Sequence, residues 1–275
     1  MTREGAAMAG PPEGTPVWAD AMFTDLEGAK GFYGDVLGWT FGEEVTEYGN
    51  RAQAYAGGKA VAALVPPMPG RDGGAPRSVW CLYLASPDVE ATARRVRENG
   101  GRILMGPVAV GEPGTVLLAR DPGGVVFGAC RLGARRGFEA RAVPGAYRWA
   151  EVRTRDPAKA DAFFPAVFPF AAGRPADGRA DAGVFRIGDD PVLGRAGMGE
   201  DFPPDMAPFV SVYFTVADTD AAIGRATTHG AKVVVGPVDG PFGRSATLVD
   251  PQGAVFSLVD VARAEGGPPR TAAWA

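Results

Sequence analysis

The chain has 275 residues, of which 46% are hydrophobic and 22% charged, with a formal net charge of −4. That length suits two modest domains or one large one, with a real core, and the mild acidity argues against a nucleic-acid partner, because phosphate binding needs a basic field. No apolar run is long enough to span a membrane, the first residues carry no apolar signal segment, and two cysteines cannot form a disulfide framework, so a cytoplasmic protein is expected.

Residues 1–14 are rich in Gly, Ala, Pro and Glu and are expected to form a disordered tail. From Thr15 the pattern alternates. Val17, Ala19, Ala21 and Phe23 fall on one face of a strand, with Trp18, Asp20, Met22 and Thr24 on the other. Asp25 then opens a helix with an apolar stripe of Leu26, Ala29, Phe32, Tyr33 and Val36, which Gly38 closes. Three short strands are expected around 40–47, 51–56 and 60–65. A Pro/Gly connection leads to a second strand at 79–84, a helix opened by Asp88, and strands at 103–105, 115–119 and 125–130. A turn, Asp121-Pro122-Gly123-Gly124, precedes the last of these.

After a linker the whole block returns. Trp18 and Asp25 match Trp149 and Asp156, Tyr83 and Asp88 match Tyr213 and Asp218, Gly106-Pro107 matches Gly236-Pro237, and Asp121-Pro122 matches Asp250-Pro251. The offset drifts one residue at a time, as loop deletions make it drift, which marks a duplicated domain. The expected division is a tail (1–14), module 1 (15–131), a linker (132–143), module 2 (144–260) and a C-terminal tail (261–275), with an α+β fold. In module 2, Pro165 and Pro169 replace Gly34 and Gly38, so its first helix is expected to be short or kinked.

Four strand–helix–three-strand units, each with Asp opening the helix, and Asp-Pro-x-Gly turns before the last strand of each module resemble the vicinal oxygen chelate superfamily, which includes glyoxalase I, extradiol dioxygenases and bleomycin-resistance proteins. The Trp-x-Asp/Glu start resembles a two-module subgroup of glyoxalase-like proteins, some from actinobacterial antibiotic pathways. The resemblance implies paired βαβββ units curled into cups around a small ligand. It also implies metal-ligand positions, which here carry Trp18, Cys81 and Gly128 in module 1 and Trp149, Ser211 and Ser257 in module 2. Tryptophan and glycine offer no coordinating lone pair, and serine rarely coordinates. The single histidine, His229, sits at an expected helix end. The expectation is therefore no metal and no cofactor, with carboxylate ligation by Asp20 or Glu151 as the remaining route.

The inner faces of the cups are then expected to present Trp18, Asp20, Met22, Cys81 and Tyr83 in module 1, and Trp149, Glu151, Arg153, Ser211 and Tyr213 in module 2. Asp20 and Glu151 are candidate general bases or ligand contacts, because a carboxylate in an apolar cup has a raised pKa. The plainer reading pairs each acid with an arginine, Arg153 being the obvious partner of Glu151, and lets both tryptophans fill the sheet interior. Cys81 and Cys130 are read as buried thiols, with a reactive pair as the alternative. The leading functional expectation is metal-independent binding of a small hydrophobic or aromatic metabolite or antibiotic. The alternatives are a glyoxalase-like lyase, dioxygenase or polyketide-tailoring enzyme using Asp20 or Glu151, and an accessory or scaffold protein with vestigial cups. Two modules in one chain already complete a pair, so a monomer is favoured over a dimer, with no membrane partner.

Overall fold

A computed structural model describes residues 10–46, 49–67, 78–110, 114–133, 137–141, 143–174 and 181–264. Module 1 runs β1 (Pro16–Met22), α1 (Leu26–Leu37), β2 (Thr40–Thr46), β3 (Gly49–Ala56), β4 (Lys59–Val65), β5 (Trp80–Ala85), α2 (Val89–Glu98), β6 (Arg102–Val110), β7 (Gly114–Arg120) and β8 (Val126–Arg131). Module 2 repeats the order as β9 (Tyr147–Thr154), α3 (Pro157–Val167), β10 (Ala171–Gly173), β11 (Ala182–Ile187), β12 (Asp190–Gly197), β13 (Phe209–Thr215), α4 (Thr219–Thr228), β14 (Lys232–Gly240), β15 (Gly243–Val249) and β16 (Val255–Asp260). The fold is α+β, as expected. Each module is one open eight-stranded sheet, ordered β2-β3-β4-β1-β5-β8-β7-β6 and β10-β11-β12-β9-β13-β16-β15-β14.

The local causes are those the residues announce. Asp25, Asp88, Asp156 and Asp218 each cap their helix by accepting a backbone N–H of the first turn, a contact worth about 1 kcal/mol. Gly38 closes α1 in the left-handed region at φ 72°, a conformation that favours glycine. Two expectations need correction. Pro165 lies inside α3, yet that helix has 11 residues against 12 in α1, because the proline falls in its last turn and costs little of the ladder. The strand expected at 103–105 runs from Arg102 to Val110, with register shifts between Ile103 and Val108 that a strict period of two hides.

The sheets turn their helix-bearing faces toward each other. α1 packs on α4, α2 packs on α3, and β5 meets β13 at the centre. One apolar core runs through both modules, so the cups open outward on opposite sides. Arginines close the seam twice by the same device. Arg95 Nε of α2 donates to the Val167 carbonyl at the end of α3 (2.7 Å), and Arg225 Nε of α4 donates to the Asp35 carbonyl at the end of α1 (3.0 Å).

The segment expected to be a plain linker is docked along the residues described. Phe138 N–H donates to the Val17 carbonyl and Glu139 N–H to the Ala60 carbonyl, so the chain wedges between the first residues of β1 and β4. The Phe138 ring stacks on Tyr147 at 4.5 Å. Part of the expected disordered tail is docked too. Gly14 N–H donates to the Ala85 carbonyl, and Glu13 pairs with Arg95. Residues 1–9 and 265–275, and with them Trp274, lie outside the described residues.

Candidate functional site

Strand register brings the expected residues together. In module 1, Trp18 lies opposite Tyr83 and Asp20 opposite Cys81 across β1 and β5. In module 2, Trp149 lies opposite Tyr213 and Glu151 opposite Ser211 across β9 and β13. These side chains share the concave face of each sheet, because residues of one parity point to one side. The two cups are built on the same positions but wired differently.

In module 1, Cys81, Tyr83, Leu118 and Cys130 form a buried apolar floor, with Trp18, Met105 and Val116 packed against it. Asp20 is half-buried above it. Burial pushes its carboxyl up to about 6, against the opposing pull of the Arg51 guanidinium and a hydrogen bond from Tyr83. Burial, with Asp20 nearby, also pushes the Cys81 thiol well up and the Cys130 thiol to about 12. Both are free thiols, and burial favours their protonated forms. Arg51 comes from β3, two strands from β1. Its guanidinium lies 5.6 Å from the centre of the Trp18 ring and donates to Gln53 Oε1 (3.2 Å), while Gln53 Nε2 donates to the Ala62 carbonyl (2.7 Å). The Phe138 ring flanks Trp18 at 5.7 Å.

In module 2, Glu151 is tied down. Arg153 pairs with its carboxylate and donates to the Tyr213 hydroxyl (2.8 Å), and that hydroxyl donates to Glu151 Oε2 (2.9 Å). The paired Glu151 and Arg153 side chains keep 12% and 15% of their surface. The arginine expected beside Glu151 is therefore its partner. Ser211, Ser257 and Thr247 join in a buried run of hydroxyls, 2.6 and 2.8 Å apart. Beyond them Met198, Phe202 and Phe209 form an apolar cluster against Val235 and Val255, and the Phe202 ring stands 5.8 Å from the Arg153 guanidinium.

The residues at the metal-ligand positions implied by the resemblance do not fit a divalent cation. A Cβ on Gly128 would stand 2.3 Å from Tyr83 Cδ1, so the tyrosine ring occupies the space a carboxylate ligand would need. Ser211 and Ser257 are committed to each other. Trp18 and Trp149 have no lone pair to give, and Cys81 is a lone protonated thiol. Among the described residues no three His, Cys, Asp or Glu side chains gather. His229 caps the end of α4 and pairs with Asp35 at 2.8 Å, away from both cups.

Sequence reasoning missed Arg51, Gln53, Phe138 and Phe202. Arg51 and Gln53 had a signal, since they alternate with Ala52 and Ala54 on a strand, polar on one face and small on the other. Phe138 and Phe202 sit in irregular segments, where periodicity says nothing about what they touch.

Comparison with known proteins agrees with the duplicated fold. The family model described as Glyoxalase/Bleomycin resistance protein/Dioxygenase superfamily matches residues 17–128 and again 146–258. The anthracycline biosynthesis protein DnrV of Streptomyces peucetius is 35% identical over 266 residues, covering 90% of this chain and 94% of its own. Among solved structures, a Mn(II)-bound glyoxalase from Novosphingobium aromaticivorans aligns with a TM-score of 0.61 at 18% identity, covering 92% of this chain and 86% of that one. The 2,3-dioxygenase LapB from Pseudomonas sp. KL28 aligns with a TM-score of 0.60 at 14% identity, covering 91% and 93%. No described helix is long and apolar enough to cross a membrane.

Proposed function

We propose, from the premise that the chain belongs to the Glyoxalase/Bleomycin resistance protein/Dioxygenase superfamily, that it binds a small aromatic metabolite in a cup without help from a metal ion. The observation that carries this reading is the Tyr83 ring lying over Gly128, which fills a coordination position with an apolar wall. What the cup keeps is shape, aromatic surface and one acid. Trp18 and Tyr83 supply flat faces, and Asp20 supplies a hydrogen-bonding group on the floor's rim. The likeness to a protein named for anthracycline biosynthesis supports a polycyclic, oxygen-bearing aromatic as the ligand class. Free buried thiols suit a reducing compartment and support a cytoplasmic location. A monomer completes the paired arrangement within one chain.

The test is a thermal-shift and fluorescence titration with 1,8-dihydroxyanthraquinone in the presence of EDTA. A melting temperature that climbs with ligand concentration and survives chelation is expected. Stoichiometric binding of Mn²⁺, Fe²⁺, Ni²⁺ or Zn²⁺ that is needed for ligand uptake would refute the reading.

A second reading has its own observation. Asp20, held at about 6 by burial, is near the value a general base needs to take a proton at neutral pH. On this reading the cup is a tailoring site in which Asp20 removes an acidic proton from the bound aromatic. Glu151 is the weaker candidate, since Arg153 and Tyr213 already occupy its carboxylate. Turnover of a bound aromatic that vanishes in Asp20→Asn while affinity persists would favour catalysis over sequestration.

A further inference from the structure

The two cups occupy equivalent places in the fold, yet their polar groups are in different states. In module 2 the central hydroxyls of the cup floor have partners: Ser211, Ser257 and Thr247 hold one another, and Tyr213 bridges Arg153 and Glu151, while Thr215 Oγ1 is buried without one among the described residues. The backbone is shaped for that arrangement. A Cβ on Gly194 would stand 2.7 Å from Glu151 Cγ and 3.0 Å from Trp149 Nε1, so β12 has given up a side chain to seat the longer acid and the indole. Phe202 and its neighbours then fill the end of the cup where β13 begins, and Arg155 fastens that segment through the Pro203 and Met206 carbonyls. Arg153 Nε, also buried, stays without a partner among the described residues.

Among the described residues, module 1 does not repeat the hydroxyl run or the glycine that seats the acid. Leu118 and Gly128 stand where Thr247 and Ser257 stand, so no hydroxyl run forms, and Ala63 faces Asp20 where Gly194 faces Glu151. Asp20 is half-buried, where Glu151 is buried. The Trp18 indole N–H is enclosed with no acceptor among the described residues. An enclosed N–H without a partner is costly, and an oxygen on a bound molecule would relieve it.

We infer that the cups have divided their roles: the module 1 cup is the ligand site of the chain, and the module 2 cup is closed by its own side chains and serves stability. The inference rests on the binding reading above and adds to it a location and a stoichiometry of one. The matching ligand is a planar aromatic with two oxygen substituents, one accepting from Trp18 Nε1 and one donating to Asp20.

Two variants of the full chain separate the roles. Calorimetric titration of the unmodified chain with 1,8-dihydroxyanthraquinone is expected to give one site. Asp20→Asn should weaken affinity at least tenfold without lowering the melting temperature. Phe202→Leu, chosen because the larger truncation to Ala risks the fold, should lower the melting temperature by about 2–6 °C and leave affinity within twofold. Two ligands per chain, or affinity lost through Phe202→Leu and not through Asp20→Asn, overturns the inference. If the probe does not bind at all, the binding reading fails, and the melting temperatures alone judge the division. Equal losses in the two variants overturn it; a loss in Phe202→Leu only upholds the stability role of module 2, while the ligand role of module 1 falls with the binding reading.

Discussion

Module 1 and module 2 follow one plan and hold their acids by different means. Asp20 meets its cation from β3, two strands away, whereas Glu151 finds Arg153 two residues along its own strand. The first arrangement leaves the carboxyl pushed up to about 6; the second seals the acid into a three-membered network with Tyr213. A duplicated fold thus preserves the demand for a counter-charge but not the position that supplies it. Where the counter-charge is close and the tyrosine bridges, the cup behaves as a core. Where it comes from a strand two away, burial outweighs it and the carboxyl is left pushed up and usable by a ligand.

The largest effect should come from breaking the network of module 2. Arg153→Met leaves Glu151 largely buried beside Tyr213 alone, and a loss of about 3 kcal/mol is expected in chemical denaturation at pH 7. A loss below about 1 kcal/mol would show that water reaches the pair freely.

Next is the pH dependence that Asp20 imposes. Its pKa rises from 3.8 to about 6 on folding, so its contribution is fully present below pH 3.8 and is lost as pH rises through 6. Asn does not titrate. Relative to wild type, Asp20→Asn should therefore gain stability between pH 4 and pH 7, on the order of 3 kcal/mol across the window. Parallel stability–pH curves for the two proteins would remove the burial effect on Asp20.

Gly128→Ala tests the wall that replaces a ligand position. The new Cβ meets the Tyr83 ring, so a cost of about 2 kcal/mol is expected, with loss of any ligand that uses that ring. Unchanged stability would mean the tyrosine moves aside easily and that the position is open after all.

The smallest effect concerns the seam between the modules. Tyr33 donates to Asp250 Oδ2 at 2.9 Å and receives the Trp80 indole N–H at 2.9 Å. At the matching place module 2 has Phe164, and the matching oxygen, Asp121 Oδ2, is buried without a partner among the described residues. Phe164→Tyr should supply the missing donor and stabilise the chain by about 1 kcal/mol, read as a small rise in melting temperature. A fall would show that the core around Phe164, which is fully enclosed, has no room for the hydroxyl.

The sequence alone determined the duplicated βαβββ plan, the four aspartate caps and the face on which Trp18, Asp20, Trp149 and Glu151 lie. Those features depend on periodicity and on local hydrogen bonds within a few residues, and such information is written along the chain. Arg153 beside Glu151 was legible for the same reason, being two residues away on one strand. The arrival of Arg51 at Trp18, the Tyr83 ring over Gly128, the Phe202 filling and the docking of Phe138 were decided only by the tertiary structure. They join residues far apart in the chain through strand order and irregular segments, where no period constrains which side chains meet. Which cup is closed depends on those meetings, because a buried polar group is set by all the partners that surround it and not by its own place in a strand.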